Sequence, residues 1–200
     1  HENEIAQSEG ATGQLFVRFW VHAEHLLVEG QKMSKSLGNF YTLRDLLDKG
    51  FSAESVRYLL ASVPHRKQLN FTFDGLKAAT TSVERLRNFK QRLETDRFPE
   101  GEDPEITKLA EEVCHKFEVG MDDDLNTAQA LGVVFEFVRE ANTRMDAGKL
   151  PTNNVADAIS VLNLFDSIFD VLRPERTSQV PAEEIEKLIT ERLAARKAHN

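Results

Sequence analysis

DGLKAATTSVERLRNFKQRLET, residues 74–95, is the stretch that decides the fold. Within it Leu76, Ala79, Val83, Leu86, Lys90 and Leu93 recur at steps of three and four, with Phe89 flanking the Lys90 position. That is the period of one face of a helix, so the spacing predicts a long amphipathic helix opened by Asp74, with Lys77, Arg85, Arg87, Lys90 and Arg92 on its outer side. A helix with one apolar stripe needs neighbours to cover it. The downstream sequence supplies them. After the breaker at residues 98–104, Ile106, Leu109, Ala110, Val113 and Phe117 mark a second helix. Others are expected over residues 127–146, 154–172 and 182–200, so residues 74–200 read as an all-helical bundle. Phe135, Phe137, Phe165 and Phe169 lie in its apolar runs and are expected in the core.

Upstream, the pattern is shorter in range. Thr42 is placed to cap a helix over residues 43–48 that Gly50 ends, and Ser52 to cap one over residues 53–62, with Val56, Leu59 and Leu60 on one face and Pro64 as the stop. Residues 65–71 form an extended, polar and basic linker. Residues 2–8 look like the end of a helix running into a loop at residues 10–13. A short helix is expected over residues 14–20, and a strand over residues 22–28 ahead of the Glu29-Gly30 turn. Boundaries fall near that turn and near residues 68–73.

The composition is that of an ordinary globular chain: 200 residues, 40% hydrophobic and 29% charged. A disordered tail or a fibre is excluded. Apolar runs such as Val133-Val134-Phe135 are far short of the roughly 20 residues that cross a bilayer. The single cysteine, Cys114, can form neither an internal disulfide nor a multi-thiolate zinc site. It reads as a structural thiol in or near the bundle core, in a chain suited to a reducing compartment, the cytoplasm by default. The chain begins at His1 without Met, basic region or apolar leader, and is expected to be a piece of a longer protein.

The net charge of −8 hides an asymmetry. Residues 1–30 carry one Arg against five Glu, net −4; residues 31–97 carry thirteen Lys and Arg against seven Asp and Glu, net +6; residues 98–200 carry eleven against twenty-one, net −10. A basic middle in an acidic chain matters if a phosphate-handling motif lies within it. One does. Lys32-Met33-Ser34-Lys35-Ser36 follows the expected strand and precedes Leu37-Gly38-Asn39. Two lysines three apart on a loop of small hydroxyl residues make a flexible cationic clamp, suited to a triphosphate and to the charge on a departing pyrophosphate.

This motif resembles the second ATP-site motif of the class I aminoacyl-tRNA synthetases, and its surroundings are similar to the cysteinyl-tRNA synthetase family in particular. The likeness is carried by His1-Glu-Asn-Glu-Ile-Ala-Gln-Ser8, Ser36-Leu-Gly-Asn-Phe40, Val56-Arg-Tyr58 with Gln68-Leu-Asn-Phe71, and Met121-Asp-Asp-Asp-Leu-Asn-Thr127. It runs over nearly the whole chain.

The resemblance implies a mainly α fold: an α/β remnant of the nucleotide-binding catalytic domain over residues 1–30, a connecting module with the lysine loop over residues 31–73, and an anticodon-binding (DALR-like) bundle over residues 74–200, truncated at its C-terminus. It implies ATP-dependent activation of cysteine and transfer to cysteine tRNA. Lys32 and Lys35 would be the catalytic residues, and Lys32, Met33, Ser34, Lys35 and Ser36 would bind ATP, carried with Mg2+. It also implies a Zn2+ ion that selects the thiolate of the substrate, with Glu4 as one ligand. His1 matches the second, non-ligating histidine of the family's zinc-binding helix, and the remaining ligands and the first ATP motif lie outside this chain. A fragment of this kind is expected to be inactive alone, and the whole protein to be a monomer.

Other residues weigh less. Arg66 and Lys67, beside His65, are placed to contact the tRNA backbone, though an exposed linker without contacts is an equal reading. Asp122-Asp123-Asp124 lacks the alternating ligands and glycine of a calcium loop and is expected as an acidic turn at the start of the following helix. Asn70-Phe71-Thr72 fits a glycosylation pattern that a cytosolic chain does not meet. Two other functions stay open: a non-catalytic tRNA-binding module, and a related ligase that joins cysteine to an amino sugar.

Overall fold

In the computed structural model, which describes residues 1–173, the chain opens on helix α1 (Glu2–Thr12). The helix runs through Gly10 and ends at Gly13, whose φ of 66° is a left-handed cap and whose N–H donates to Glu9 O at 2.8 Å. The expected loop at residues 10–13 is therefore helical almost to its end. The helix expected over residues 14–20 does not form: this segment has no regular structure and leaves Leu15, Phe16 and Phe19 exposed, with no core packed over them to stabilise a helix.

Three two-residue strands follow: β1 (Leu27–Val28), β2 (Gln31–Lys32) and, later in the chain, β3 (Asn70–Phe71). β1 lies in the middle, antiparallel to β2 and parallel to β3. The strand expected over residues 22–28 is thus only its last two residues, because its partners are no longer than that. Asn70, exposed on the edge strand β3, accepts at Oδ1 from Gly30 N at 2.8 Å and so ties the β1–β2 turn to β3. The linker before it is extended only near β3; Lys67 N donates to Pro64 O and closes a turn first.

Between β2 and β3 stand α2 (Leu43–Asp48) and α3 (Ala53–Ala61), capped by Thr42 and Ser52 as their sequences predict. Asp45 completes a capping box with Thr42, and those hydrogen bonds from the Thr42 hydroxyl and N–H hold its carboxyl below the usual carboxylate range.

The bundle consists of α4 (Phe73–Thr95), α5 (Pro104–Asp122), α6 (Thr127–Asp146) and α7 (Val155–Phe169), each opened near the expected residue. The buried face of α4 is Leu76, Ala79, Val83, Leu86, Phe89 and Leu93. Phe89 and not Lys90 continues the seam, since a step of three from Leu86 keeps an apolar ring in the core. Nor do all the basic residues of α4 look outward. Arg87 donates from Nε to Val171 O at 3.2 Å, and Arg92 reaches Asp96, Asn142 and Asp146. Phe137, Phe165 and Phe169 are buried as expected, while Phe135 is half-buried and meets Tyr58 of α3 edge-on at 6.5 Å. One apolar core runs without interruption from Val28 through α3 and the bundle to Leu172.

Helix α7 stops three residues short of the expected Leu172. Asp170 turns left-handed at φ 50°, the Asp166 carboxylate accepts from Val171 N and Leu172 N, and Arg57 of α3 donates to the carbonyls of Ile168 and Phe169. A cation on the last carbonyls satisfies groups that the helix cannot and complements its dipole. The helix expected from Ala182 onward lies outside the described residues.

At the other end of α7 the wholly buried Asn154 ties three segments together. Its Oδ1 accepts from Asp103 N at 2.8 Å, and its Nδ2 faces Asp103 O, Thr107 Oγ1 and Asp157 Oδ2, each at 3.0 Å. Asn154→Ala takes away the acceptor of Asp103 N and leaves Thr107 and Asp157 bonded only to each other, and is expected to lower stability by about 1–3 kcal/mol in chemical denaturation. A loss under about 0.5 kcal/mol would show that water replaces the amide without cost.

Candidate nucleotide-binding loop

The lysine motif lies on the loop that leaves the sheet. Lys32 is the last residue of β2; Met33 turns inward and lines, with Leu26, Val28, Tyr41, Leu46 and Phe71, an apolar cavity of about 620 Å3. Lys32 and Lys35 are exposed. The Lys35 ammonium stands 5.4 Å from the centre of the Phe40 ring and has no ion-pair partner among the described residues. Ser34 Oγ and Ser36 Oγ are 2.7 Å apart, and Gly38, at φ 67°, donates its N–H to Lys35 O and turns the chain back.

What closes the loop is Asn39, whose role the sequence reading missed. Its Oδ1 accepts from Ser34 N at 2.8 Å, and its Nδ2 donates to Lys32 O at 3.1 Å and lies 3.5 Å from Val28 O. An amide beside a glycine is a common turn signal. That it bridges β1, the end of β2 and the loop appears only once the two strands lie side by side. The result is a loop with an apolar anchor and a pinned base that presents two cations to solvent, an arrangement that can hold polyphosphate.

At the N-terminus Glu4 is exposed, with Oε2 3.1 Å from His1 Nδ1. The His1 ring lies 4.7 Å from that of His22 and 4.8 Å from that of Trp20. Zinc needs four N, O or S donors in tetrahedral array. Among the described residues no group of three or more His, Cys, Asp or Glu is arranged to hold a metal ion, so the residues present do not by themselves make the centre that Glu4 suggests. Cys114 is half-buried on α5, its thiol pushed up by burial and by Glu118, as a structural thiol would be.

The linker residues meet the acidic turn instead of standing free. Arg66 Nη2 donates to Asp124 Oδ1 at 3.3 Å, and His65 Nε2 is 3.9 Å from the same oxygen, with its Nδ1 buried and unpartnered. Lys67 remains exposed. The acidic run sits across the α5–α6 corner: Asp122 ends α5, Asp124 and Leu125 are left-handed at φ 55° and 56°, and Asn126 is the N-cap of α6. An acidic first turn of α6 is therefore corrected to a tight corner whose Asp124 is a partner for Arg66. Gly120 lets α5 and α6 approach closely at this corner, where a Cβ would stand 3.3 Å from the Ala130 backbone N. With Arg57, Arg66, Arg87 and Arg92 all bound within the chain, part of the basic excess of residues 31–97 serves the fold.

Comparison with known proteins gives a consistent result. Residues 1–81 match the model of the tRNA synthetases class I (C) catalytic domain, and residues 116–173 match the DALR domain. The chain is similar to a cysteine–tRNA ligase of Solibacter usitatus, 56% identical over 201 residues, which cover 100% of this chain and 43% of the relative. To one from Koribacter versatilis it is 54% identical, covering 90% of this chain and 36% of the relative. It thus spans less than half the length of these relatives. Among solved structures, a ternary complex of Agrobacterium radiobacter LeuRS with tRNA and LeuAMS matches with a TM-score of 0.61 over 84% of this chain and 23% of that one, at 17% identity, a likeness of fold. No helix among the described residues is long and apolar enough to cross a membrane.

Proposed function

We propose, from the premise that this chain belongs to the cysteinyl-tRNA synthetase family of class I synthetases, that it is the C-terminal portion of a cysteine–tRNA ligase. The observation that carries this reading is the pinned loop with two exposed lysines, within residues that match the class I catalytic-domain model. The carboxylate of cysteine attacks the α-phosphorus of ATP, giving cysteinyl-adenylate and pyrophosphate; a hydroxyl of the terminal tRNA ribose then attacks the acyl carbon, forming the ester and releasing AMP. Lys35, supported by Lys32, stabilises the negative charge that gathers on the leaving pyrophosphate, and Ser34, Ser36 and the Met33 backbone, whose side chain anchors the loop in the core, complete the contact with Mg2+-bound ATP. Closure of the loop over the nucleotide excludes water.

Residues 1–30 and the lysine-loop module of residues 31–73 both fall within the stretch that matches the catalytic-domain model, and helices α4 to α7 form the bundle that meets the anticodon side of the tRNA. Lys67, and Arg66 beyond its contact with Asp124, face the tRNA backbone. Glu4 would be one carboxylate ligand of a zinc site whose other ligands this chain does not supply. The longer protein acts as a monomer in the cytoplasm.

The isolated 200 residues are expected to give no cysteine-dependent exchange of label between pyrophosphate and ATP, and the longer protein to give it with cysteine and not with serine. Exchange by the isolated chain would refute its assignment as an inactive portion. Absence of exchange in the longer protein would refute the ligase reading.

A further inference from the structure

We infer that Asn39 is a positioning residue for the activation step, fixing the backbone from which Lys35 meets the nucleotide; the inference rests on the function proposed for the lysine loop. Three partners define its place. Ser34 N, five residues earlier, donates to its Oδ1; Lys32 O, seven residues earlier, accepts from its Nδ2; Val28 O, eleven residues earlier, lies at the edge of reach of the same Nδ2. The group must accept on one side and donate on the other in a single plane, which a carboxamide does on a side chain short enough for this turn. Glutamine carries the same amide one methylene farther from the backbone. Aspartate can accept from Ser34 N, but sets its second oxygen against the carbonyls of Lys32 and Val28.

The consequence for the site is geometric. The Lys32 carbonyl and the Ser34 N–H are both drawn inward to one side chain, so the backbone between them turns over Met33, whose side chain packs against the core. That turn is what sends Lys32 and Lys35 to solvent. Past it, Ser34 and Ser36 share a hydroxyl contact and Gly38 closes the return to Asn39. Lys35 follows Ser34, which Asn39 holds, and its own carbonyl accepts from Gly38 N, while its side chain touches neither amide atom of Asn39. Asn39 thus acts through the loop and not on the substrate. A catalytic ammonium shifted by about 1 Å loses on the order of 100-fold in rate.

The test is made in the longer protein, with both half-reactions measured. Asn39→Ala and Asn39→Asp are expected to lower kcat for cysteine-dependent ATP–pyrophosphate exchange by about 10- to 100-fold. Transfer of cysteine from pre-formed cysteinyl-adenylate to tRNA should change by less than about threefold, and the thermal midpoint by only a few degrees, since one half-buried amide is lost on an exposed loop. A merely structural role would lower both half-reactions together. Asn39→Gln should recover part of the loss if loop placement is the cause. Unchanged exchange in Asn39→Ala, or an equal fall in transfer, overturns the inference. Lys35→Ala in the same assay separates the two claims. If it is active, the function given to the loop fails; if it is inactive while Asn39→Ala is fully active, the role of Asn39 alone fails.

Discussion

Lys35→Ala is expected to lower kcat for cysteine-dependent ATP–pyrophosphate exchange in the longer protein by about 100-fold or more, the cost of removing one preorganised group from developing charge. The lysine is exposed, rests against the Phe40 ring at 5.4 Å, and has no carboxylate partner among the described residues. It is therefore available to a phosphate, and leaving a ring face at an exposed site costs only about 0.5–1 kcal/mol. Because the interaction is made in the transition state, KM for cysteine should barely move while kcat and kcat/KM for ATP fall together. Lys32→Ala should have a smaller effect of the same kind, since its backbone sits in β2 and its side chain starts farther from the turn. Full retention of exchange by Lys35→Ala would refute the role given to the loop.

Phe165→Ala is expected to destabilise the chain by about 3–5 kcal/mol, read as a lowered urea midpoint with little change in slope. Phe165 is wholly buried and stacks on Phe169 with ring centres 4.7 Å apart and planes 13° from parallel. It lies on α7, which packs against α4, α5 and α6, so a cavity there opens among all four helices and cannot close by a shift of one. Phe135→Ala is the comparison. That ring is half-buried and should cost less than half as much. Equal losses at the two positions would show that the α3–α6 contact carries as much of the stability as the centre of the bundle.

Much of this architecture is legible in the sequence because it is local. The helices at residues 43–48 and 53–61 were set by Thr42 and Ser52, whose side chains reach only three residues ahead. The stripe Leu76, Ala79, Val83, Leu86 and Leu93 needs nothing but the helical repeat. The lysine motif is five consecutive residues, and its exposed lysines follow from a turn beside a short strand. Segments without a strong period were the ones misread. Residues 14–20 offer apolar side chains but no packed core for a helix to bury them against, and α1 ran into the expected loop as far as Thr12 because glycine at position 10 weakens a helix without ending it.

The sequence by itself therefore determined the class of fold, the caps of α2 and α3, the apolar face of α4 over most of its length, and the identity of the loop that bears Lys32 and Lys35. Tertiary structure alone decided where α7 ends, which arginines are taken up within the chain, and what holds the loop. Arg57 reaches carbonyls 111 and 112 residues away, Arg66 an aspartate 58 residues away, and Asn39 the end of a strand that exists only when β1 lies between β2 and β3. Periodicity and capping act within one or two helical turns and so are written in neighbouring residues. A buried carbonyl or a charged side chain takes whichever partner packing brings within about 3 Å, and that partner is fixed only when the core closes.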